Sequence, residues 1–155
     1  MKFRTRLGEI EISEEHTLFF PKGLPGFENL HRFALYTLPE TNPIQWLISL
    51  DDALISFPVI DPWLIRSDYA VDIPPVVLES LAIRSREKVL IVNMIRIPQD
   101  DPRSMTINLL APILVNLENR QAMQMIMENS DYDLRHPVHE ELERSKKNQA
   151  SKGTT

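Results

Sequence analysis

The sequence predicts a mainly β protein: a small antiparallel β-barrel or β-sandwich-like single domain with one or two short helices. Most apolar segments alternate with period two, as strands with one buried face do. Twelve prolines and frequent Asp and Asn residues separate these segments, at the spacing of about 8–12 residues that is typical of sandwiches and barrels. The 155 residues, 43% of them hydrophobic, suffice for one domain with a substantial core.

Ten segments are predicted to be strands, in order residues 3–6, 8–12, 17–20, 32–38, 45–50, 57–60, 88–97, 105–110, 113–117 and 122–127. Gly8 marks a turn or bulge between the first two. Segment 88–97 is the longest, and its apolar residues on both faces predict a central strand that is buried on both sides. Segment 122–127 has good helix formers, but it also alternates, and its neighbours favour a strand.

Helices are expected at two places. Residues 75–82 begin with a proline in the first turn and place apolar side chains at Val77, Leu78 and Leu81. From His139 the chain becomes highly charged. We therefore expect a domain over residues 1–138 and a charged tail over 139–155 that is partly helical or disordered. It would contain a short frayed helix and end in a mobile segment at 151–155.

The overall charge disfavours direct binding of nucleic acid. The chain has 22 acidic and 17 basic side chains and a net charge of −5 at pH 7. Its Lys and Arg residues are scattered, whereas nucleic-acid-binding domains usually cluster a basic surplus on one face. A negative surface instead favours attraction to a basic protein, and Asp51 and Asp52 are among the groups that contribute to it.

Composition also bears on the cellular compartment. Cysteine is absent, which excludes disulfides and Cys-ligated zinc and fits a reducing environment. The first residues are charged rather than apolar, so no signal peptide is expected. The longest apolar run, residues 109–115, is too short to span a bilayer and contains a proline. We expect a cytoplasmic protein without membrane contact.

No residue pattern predicts an enzyme, a cofactor or a metal site. The four glycines form no phosphate-binding loop, and no nucleophile motif is present. His136 and His139 have a proline between them, which opposes a helical pair of metal ligands. Asp51, Asp52 and Asp61 lack the ligand alternation and the glycine of a calcium loop. Asp61 is more simply a turn initiator, because a proline follows it.

The stretch from Gly23 to Glu28 predicts a tight turn. Pro25 followed by Gly26 suits a type II turn, in which the glycine takes a positive φ. Phe27 would then pack back on the core. This structural interpretation accounts for the glycines and the proline and leaves Glu28 available for recognition.

Polar residues near or within apolar segments are further candidates for recognition. Asn108 and Asn116 interrupt strand-length runs, and each either ties a bulge or neighbouring loop or contacts a partner. Tyr69, Tyr132 and Arg135 are of the types that most often anchor interfaces. A buried tyrosine with a satisfied hydroxyl is also common, so the sequence leaves both interpretations open.

Four stretches in this order and spacing resemble the flagellar assembly factor FliW family of bacteria, over roughly residues 2 to 138. They are residues 20–28 (FPKGLPGFE), 46–52 (WLISLDD) leading into 57–62 (FPVIDP), 106–116 (TINLLAPILVN), and 124–137, which ends in YDLRHP. Each stretch alone is weakly specific, whereas their combination is strong. The resemblance implies a compact β-barrel-like fold without enzymatic activity or cofactor.

The resemblance also implies the partners. Proteins of this family bind CsrA, a basic dimeric RNA-binding repressor, and they bind flagellin as a chaperone-like partner. The implied circuit is a translation-regulatory switch: the free protein, a monomer, sequesters CsrA and relieves repression of flagellin translation, until accumulating flagellin claims the protein and releases CsrA. Acidic groups such as Asp51 and Asp52 would face the RNA-binding surface of CsrA. The candidate partner-contact residues are Glu28, Asp51, Asp52, Asp61, Tyr69, Asn108, Asn116, Tyr132 and Arg135.

Two other classes of protein are possible alternatives. A β-barrel that binds a small molecule or saccharide would need an aromatic-lined mouth, to which Trp46 and Trp63 could contribute, although aromatic residues make up only 7% of the chain. A hydrolase using His136 with Asp131 or Asp133 lacks a nucleophile at a recognisable spacing.

Overall fold

The computed structural model describes residues 2–5, 8–52, 54–128 and 130–152. Arg6 of the first predicted strand and residues 153–155 of the predicted mobile segment lie outside these ranges. The described residues form eleven strands and two α-helices. The elements are β1 (Lys2–Thr5), β2 (Gly8–Glu11), β3 (Thr17–Phe19), β4 (Arg32–Thr37), β5 (Gln45–Ser49), β6 (Ser56–Ile60), α1 (Pro75–Ser80), β7 (Val89–Arg96), β8 (Thr106–Ile107), β9 (Ile113–Asn116), β10 (Ala122–Gln124), β11 (His136–Pro137) and α2 (Val138–Lys152).

Nine of the described strands form one antiparallel sheet, in the order β10-β9-β7-β6-β5-β4-β3, with β8 pairing to β7 and β11 to β8. The outermost strands approach each other, because Phe19 at the end of β3 forms a single parallel bridge with Gln121, next to β10. The Phe19 N–H donates to the Arg120 carbonyl there at 2.9 Å. The predicted mainly β, barrel-like fold is confirmed, although no full ladder among the described residues closes the sheet.

The inner face of the sheet encloses the first apolar cluster. Every strand on the path from β3 to β10 contributes to it, namely through Leu18, Phe33, Leu47, Val59, Val92, Ile113 and Ala122. Phe20 and Phe33 meet edge to face there, with ring centroids 5.0 Å apart. Side chains therefore fill the interior of the barrel-like sheet, as they do in other small barrels.

Two further clusters cover the outer face. Ile10 of β2 and Ile12 pack on Ala34 and Ile48, so the β1–β2 hairpin covers β4 and β5. The crossover between β6 and α1 covers β7 and β9 in the same way, together with the segments near β8 and α2. Strand β7 is therefore buried on both sides, which confirms the prediction from its apolar pattern.

Strand β8 is shorter than the predicted 105–110, because the Asn108 side chain turns the chain. Its Oδ1 accepts hydrogen bonds from the N–H groups of Leu110 and Ala111 at 3.1 and 3.0 Å. This local side-chain bonding competes with the ladder, as asparagine often does.

Strand β10 confirms the choice of strand over helix but ends at Gln124 rather than 127. The facing residue beyond β9 is Pro112, which has no N–H to donate. The N–H of Met125 still donates to the Pro112 carbonyl at 2.9 Å and that of Met127 to the Leu110 carbonyl at 2.8 Å. The segment therefore stays extended along the sheet without a regular ladder.

Helix α1 lies where the sequence predicts it, with Pro75 in its first turn. Helix α2 begins at Val138 and has fifteen residues, whereas a short frayed helix was predicted. Its first turn carries Glu140 and Glu141. Their negative charges interact favourably with the positive end of the helix dipole. Val138 and Leu142 pack against the outer cluster, which gives the helix a tertiary contact.

Candidate protein-interaction surface

Asp51 fastens the beginning of β4 to the loop that follows β5. Its Oδ2 accepts from the N–H groups of His31 and Arg32 at 2.9 and 3.0 Å, and its Oδ1 accepts from Arg32 Nε at 2.8 Å. Burial opposes the charge, but the hydrogen bonds and the Arg32 guanidinium outweigh it, so the pKa of Asp51 lies below its ordinary value. This carboxylate has a structural task within the chain.

Glu28, Asp52 and Asp61 each stabilise a turn and remain exposed. Their side chains accept from the N–H of Gly26 at 3.1 Å, of Leu54 at 3.2 Å and of Trp63 at 2.9 Å, respectively. Each of these bonds uses one carboxylate oxygen, and the charge still faces solvent. Asp61 thereby caps a short 3-10 helix, as its place before a proline suggests.

The turn before β4 has two glycines with positive φ. Gly23 has a φ of +65° and Gly26 a φ of +85°, and the second value suits the third position of a type II turn. The N–H of Phe27 donates to the Leu24 carbonyl at 2.7 Å. The Phe27 ring then packs edge to face on Phe57, with centroids 5.3 Å apart.

Tyr69 lies in a buried polar centre of the outer cluster and is only 4% exposed. Its hydroxyl donates to the Leu109 carbonyl at 2.7 Å and accepts from Asn93 Nδ2 at 3.1 Å. Asn93 Nδ2 also donates to the Asn108 carbonyl at 2.8 Å. The sequence prediction missed Asn93, although an asparagine inside a doubly buried strand needs such partners.

Burial raises the pKa of Tyr69 to about 12, partly offset by the Asn93 hydrogen bond. In the unfolded chain the pKa of this tyrosine is 10.0, so the stabilising contribution is complete below that pH and is lost as pH rises toward about 12. We expect this loss to reach about 2–3 kcal/mol. Tyr69→Phe should remove it and cost about 1 kcal/mol at neutral pH.

Urea unfolding measured between pH values of about 8 and 12 checks this expectation. Tyr36→Phe is the matched control, because Tyr36 is a half-buried tyrosine outside this centre. The control should keep the alkaline loss of stability. If Tyr69→Phe kept the same loss as the unchanged chain, the assignment to Tyr69 would be wrong.

Tyr132 connects the crossover to the segment before β11. Its ring packs edge to face on Tyr69, with centroids 4.9 Å apart, and Arg66 Cζ lies 4.8 Å from its centroid. Its hydroxyl accepts from the Ala70 N–H at 3.1 Å. The ring and hydroxyl of Tyr132 therefore hold the outer layer together.

Helix α2 is attached to this layer by polar side chains. Glu141 Oε1 accepts from His136 Nδ1 at 2.9 Å, and Arg66 Nη1 lies 3.7 Å from the same oxygen. Ser145 Oγ donates to the Ile65 carbonyl at 2.9 Å and accepts from the Ser67 N–H at 3.0 Å. The sequence prediction missed Arg66, Glu141 and Ser145, because the contacts of Arg66 with Glu141 and of Ser145 with Ile65 and Ser67 join segments that are distant in the chain.

Both ring nitrogens of His136 are engaged. Nε2 accepts from the Asp133 N–H at 2.7 Å, which assigns the ring proton of this geometry to Nδ1, facing Glu141. A catalytic base would need a free nitrogen facing a nucleophile. The contacts of His136 are thus those of a structural residue.

Asn116 is 2% exposed and acts within the fold. Its Nδ2 donates to the carbonyls of Leu81 and Ala82 at 2.8 and 3.1 Å, and its Oδ1 accepts from the Glu118 N–H at 3.0 Å. These bonds tie β9 to the chain that follows α1. The interpretation of Asn116 as a loop tie agrees with these contacts.

Arg135 differs from the buried candidates because it is exposed. Within the described ranges its guanidinium forms no hydrogen bond or ion pair. It lines a shallow depression with Asn108, Leu134 and Arg96. Arg135 and the carboxylates of Glu28, Asp52 and Asp61 therefore stay available to a partner, whereas Tyr69 and Asn116 are enclosed.

The predicted candidates occupy separate places. Asp51 joins the loops of Asp52 and Glu28 at one end of the sheet, since it binds the N–H of His31. Tyr69, Asn108 and Tyr132 meet in the outer layer. These three candidates therefore lie close together, and their contacts are with other residues of the chain.

Neither tryptophan lines a barrel mouth. Trp46 packs with the outer cluster under the hairpin, and its Nε1 donates to Thr41 Oγ1 at 3.0 Å. Trp63 Nε1 donates to the Tyr69 carbonyl at 2.8 Å. The filled interior and these positions disfavour the ligand-binding barrel.

The described residues contain neither a metal-binding cluster nor a membrane-spanning helix. They contain no group of three or more His, Asp or Glu side chains that could hold a metal ion. No helix among them is both long enough and apolar enough to cross a membrane.

These features define the class: a small, barrel-like β domain with a filled interior, whose free polar groups lie in exposed loops. The FliW protein family matches residues 2–138 of this chain. The chain is 47% identical over 146 residues to the flagellar assembly factor FliW of Thermotoga maritima, covering 94% of this chain and 98% of that protein. The FliW of Moorella thermoacetica is 38% identical over 137 residues, covering 88% and 87%.

A solved structure, the crystal structure of the flagellar assembly factor FliW, has the same fold. It matches with a TM-score of 0.82 and 30% identity and covers 89% of this chain and 96% of that one. The chain belongs to the FliW family, which confirms the resemblance of its four motifs.

Proposed function

We propose that this chain is a non-enzymatic, cytoplasmic flagellar assembly factor that acts as a monomer by binding two proteins. It binds CsrA and antagonises CsrA repression of flagellin translation, and it binds flagellin as a chaperone-like partner. Flagellin that accumulates displaces CsrA and restores repression. The observation that carries this proposal is the similarity to flagellar assembly factors over 94% of the chain.

The electrostatics of the chain support a basic partner. The net charge is −5, and Glu28, Asp52 and Asp61 keep exposed carboxylates although each stabilises a turn. A negative surface speeds the encounter with a basic protein such as CsrA. Direct binding of nucleic acid is disfavoured by the same charges.

Calorimetric titration tests the proposal directly. The purified protein is titrated with CsrA of the same organism, then with flagellin monomer, and flagellin is then added to the preformed CsrA complex. We expect saturable binding of each partner and release of CsrA by flagellin. If neither CsrA nor flagellin bound, the proposal would be refuted.

Charge removal at Asp52 should slow association with CsrA. Asp52→Asn keeps an Oδ1 acceptor for the Leu54 N–H, so the turn is retained while one charge is lost. We expect the association rate to fall about twofold at low salt and the difference to shrink at high salt. Stopped-flow mixing measures the rate, and Asp100→Asn controls for loss of one charge in another loop. Equal rates for the Asp52 variant and the unchanged chain at low salt would exclude this steering role.

A further inference from the structure

A groove lies between the crossover that precedes α1 and the segment that follows β10. Its volume is about 520 Å³, and its lining includes Asp72, Val77, Met125, Ile126 and Glu128. We call it the 72–128 groove. None of its lining residues is among the predicted contact residues, and the scaffold described above does not use its open side.

The 72–128 groove has an apolar surface that a partner could cover. Met125 and Met127 are buried beneath it and Val77 is half-buried, whereas Ile126 is 59% exposed. Methionine side chains adapt to different shapes of bound side chain. An exposed isoleucine above such a floor is a suitable contact for an apolar anchor.

The backbone along one wall leaves a donor free. The N–H groups of Met125 and Met127 donate toward the β9 side, to the carbonyls of Pro112 and Leu110. Because successive residues of an extended segment point their N–H groups to opposite sides, the N–H of Ile126 faces away from β9. It has no partner among the described residues, and an added strand could use it.

The charges of the 72–128 groove have one sign. Asp72 and Glu128 are exposed at its rim, and their carboxylates form no hydrogen bond or ion pair within the described ranges. Of the residues that the structure describes, no Lys or Arg lines the groove. The groove therefore complements a segment that carries positive charge.

We propose that the 72–128 groove binds an extended segment of a basic protein. An apolar side chain of that segment contacts Ile126 and Val77, its backbone carbonyl accepts from the Ile126 N–H, and flanking Lys or Arg side chains pair with Asp72 and Glu128. The assignment of a physiological partner rests on the proposed function, in which CsrA is the basic protein.

Substitutions at the groove test the assignment in the full-length chain. Asp72→Asn with Glu128→Gln should weaken CsrA binding about tenfold at low salt, and Ile126→Ser should weaken it about fivefold. Asp100→Asn with Glu118→Gln removes two exposed charges elsewhere and is the matched control, as Leu117→Ser is for Ile126→Ser. The controls should bind within about twofold of the unchanged chain.

The outcomes separate the groove from the proposed function. If the groove variants bind CsrA as strongly as the unchanged chain does, the groove is not the binding site. The proposed function still stands in that case. If the groove variants bind flagellin more weakly but bind CsrA as strongly as the unchanged chain, the assignment to a basic partner is overturned. If the unchanged chain binds neither protein, the proposed function fails. Binding of a basic peptide then tests whether the groove is a binding site.

That peptide is acetyl-Lys-Leu-Lys-Leu-Lys-amide, added during NMR of the labelled chain. Saturable shifts at the amides of residues 70–73, 76, 77 and 124–128, lost in the Asp72 and Glu128 double variant and kept in its control, support the groove. Shifts spread over the acidic surface, or unchanged in the double variant, overturn it.

Discussion

Gly23→Ala is expected to lower the free energy of unfolding by about 3 kcal/mol, because the added Cβ has no space and the backbone is left-handed. A Cβ at this position would lie 2.5 Å from the Phe27 carbonyl oxygen and 2.7 Å from Glu28 Cα. These are backbone atoms, so the whole turn would have to move. The φ of +65° adds strain for any residue with a side chain.

Gly26→Ala separates these two causes. Gly26 also has a positive φ, of +85°, but nothing lies within 4 Å of a Cβ built there. We expect this control to lose only about 1 kcal/mol, from the backbone alone. Urea unfolding of both variants gives the difference. Equal losses would show that the close approach of Gly23 to residues 27 and 28 does not matter.

Asn116→Ala is the second large effect and should cost about 3 kcal/mol. The change removes a donor to the carbonyls of Leu81 and Ala82 and the acceptor of the Glu118 N–H. The Leu81 carbonyl keeps its bond from Asn119, whereas the Ala82 carbonyl and the Glu118 N–H lose their side-chain partner beside the core, where an unpaired backbone group is costly. The loss of the tie between β9 and the end of α1 should also expose Leu81.

Asn119→Ala is the matched control for Asn116. Asn119 donates to the same Leu81 carbonyl at 3.2 Å, but it lies on the surface, so we expect a loss below about 1 kcal/mol. Thermal or urea unfolding measures both, and CsrA titration shows whether binding survives. A change at Asn116 that weakens binding without reducing stability would restore its role as a partner contact.

Much of the fold was predictable because its signals are local. Alternation over 32–38 and 45–50 predicts β4 and β5, and the apolar residues on both faces of 88–97 predict a doubly buried β7. Pro75 and the following apolar spacing predict α1. The four motifs together predict the family, since their order and spacing are properties of the sequence itself.

The predicted ends of β8 and β10 were wrong, because contacts between segments set where these two strands end. The Asn108 side chain takes two N–H groups that a ladder would have used. Pro112 cannot donate across from Met125. Both residues are visible in the sequence, but their effect depends on which strand lies opposite.

Local patterns and composition predict most of the strands, the tight turn, the family and the sign of the net charge, because each follows from neighbouring residues or from residue counts; they did not predict β11. Which polar side chains bind other residues of the chain depends instead on how distant segments pack. This packing encloses Tyr69 and Asn116, commits Asp51 to backbone N–H groups and leaves Asp52 exposed. It also brings Asp72 and Glu128 to one groove, since side chains far apart in sequence meet only when the chain packs.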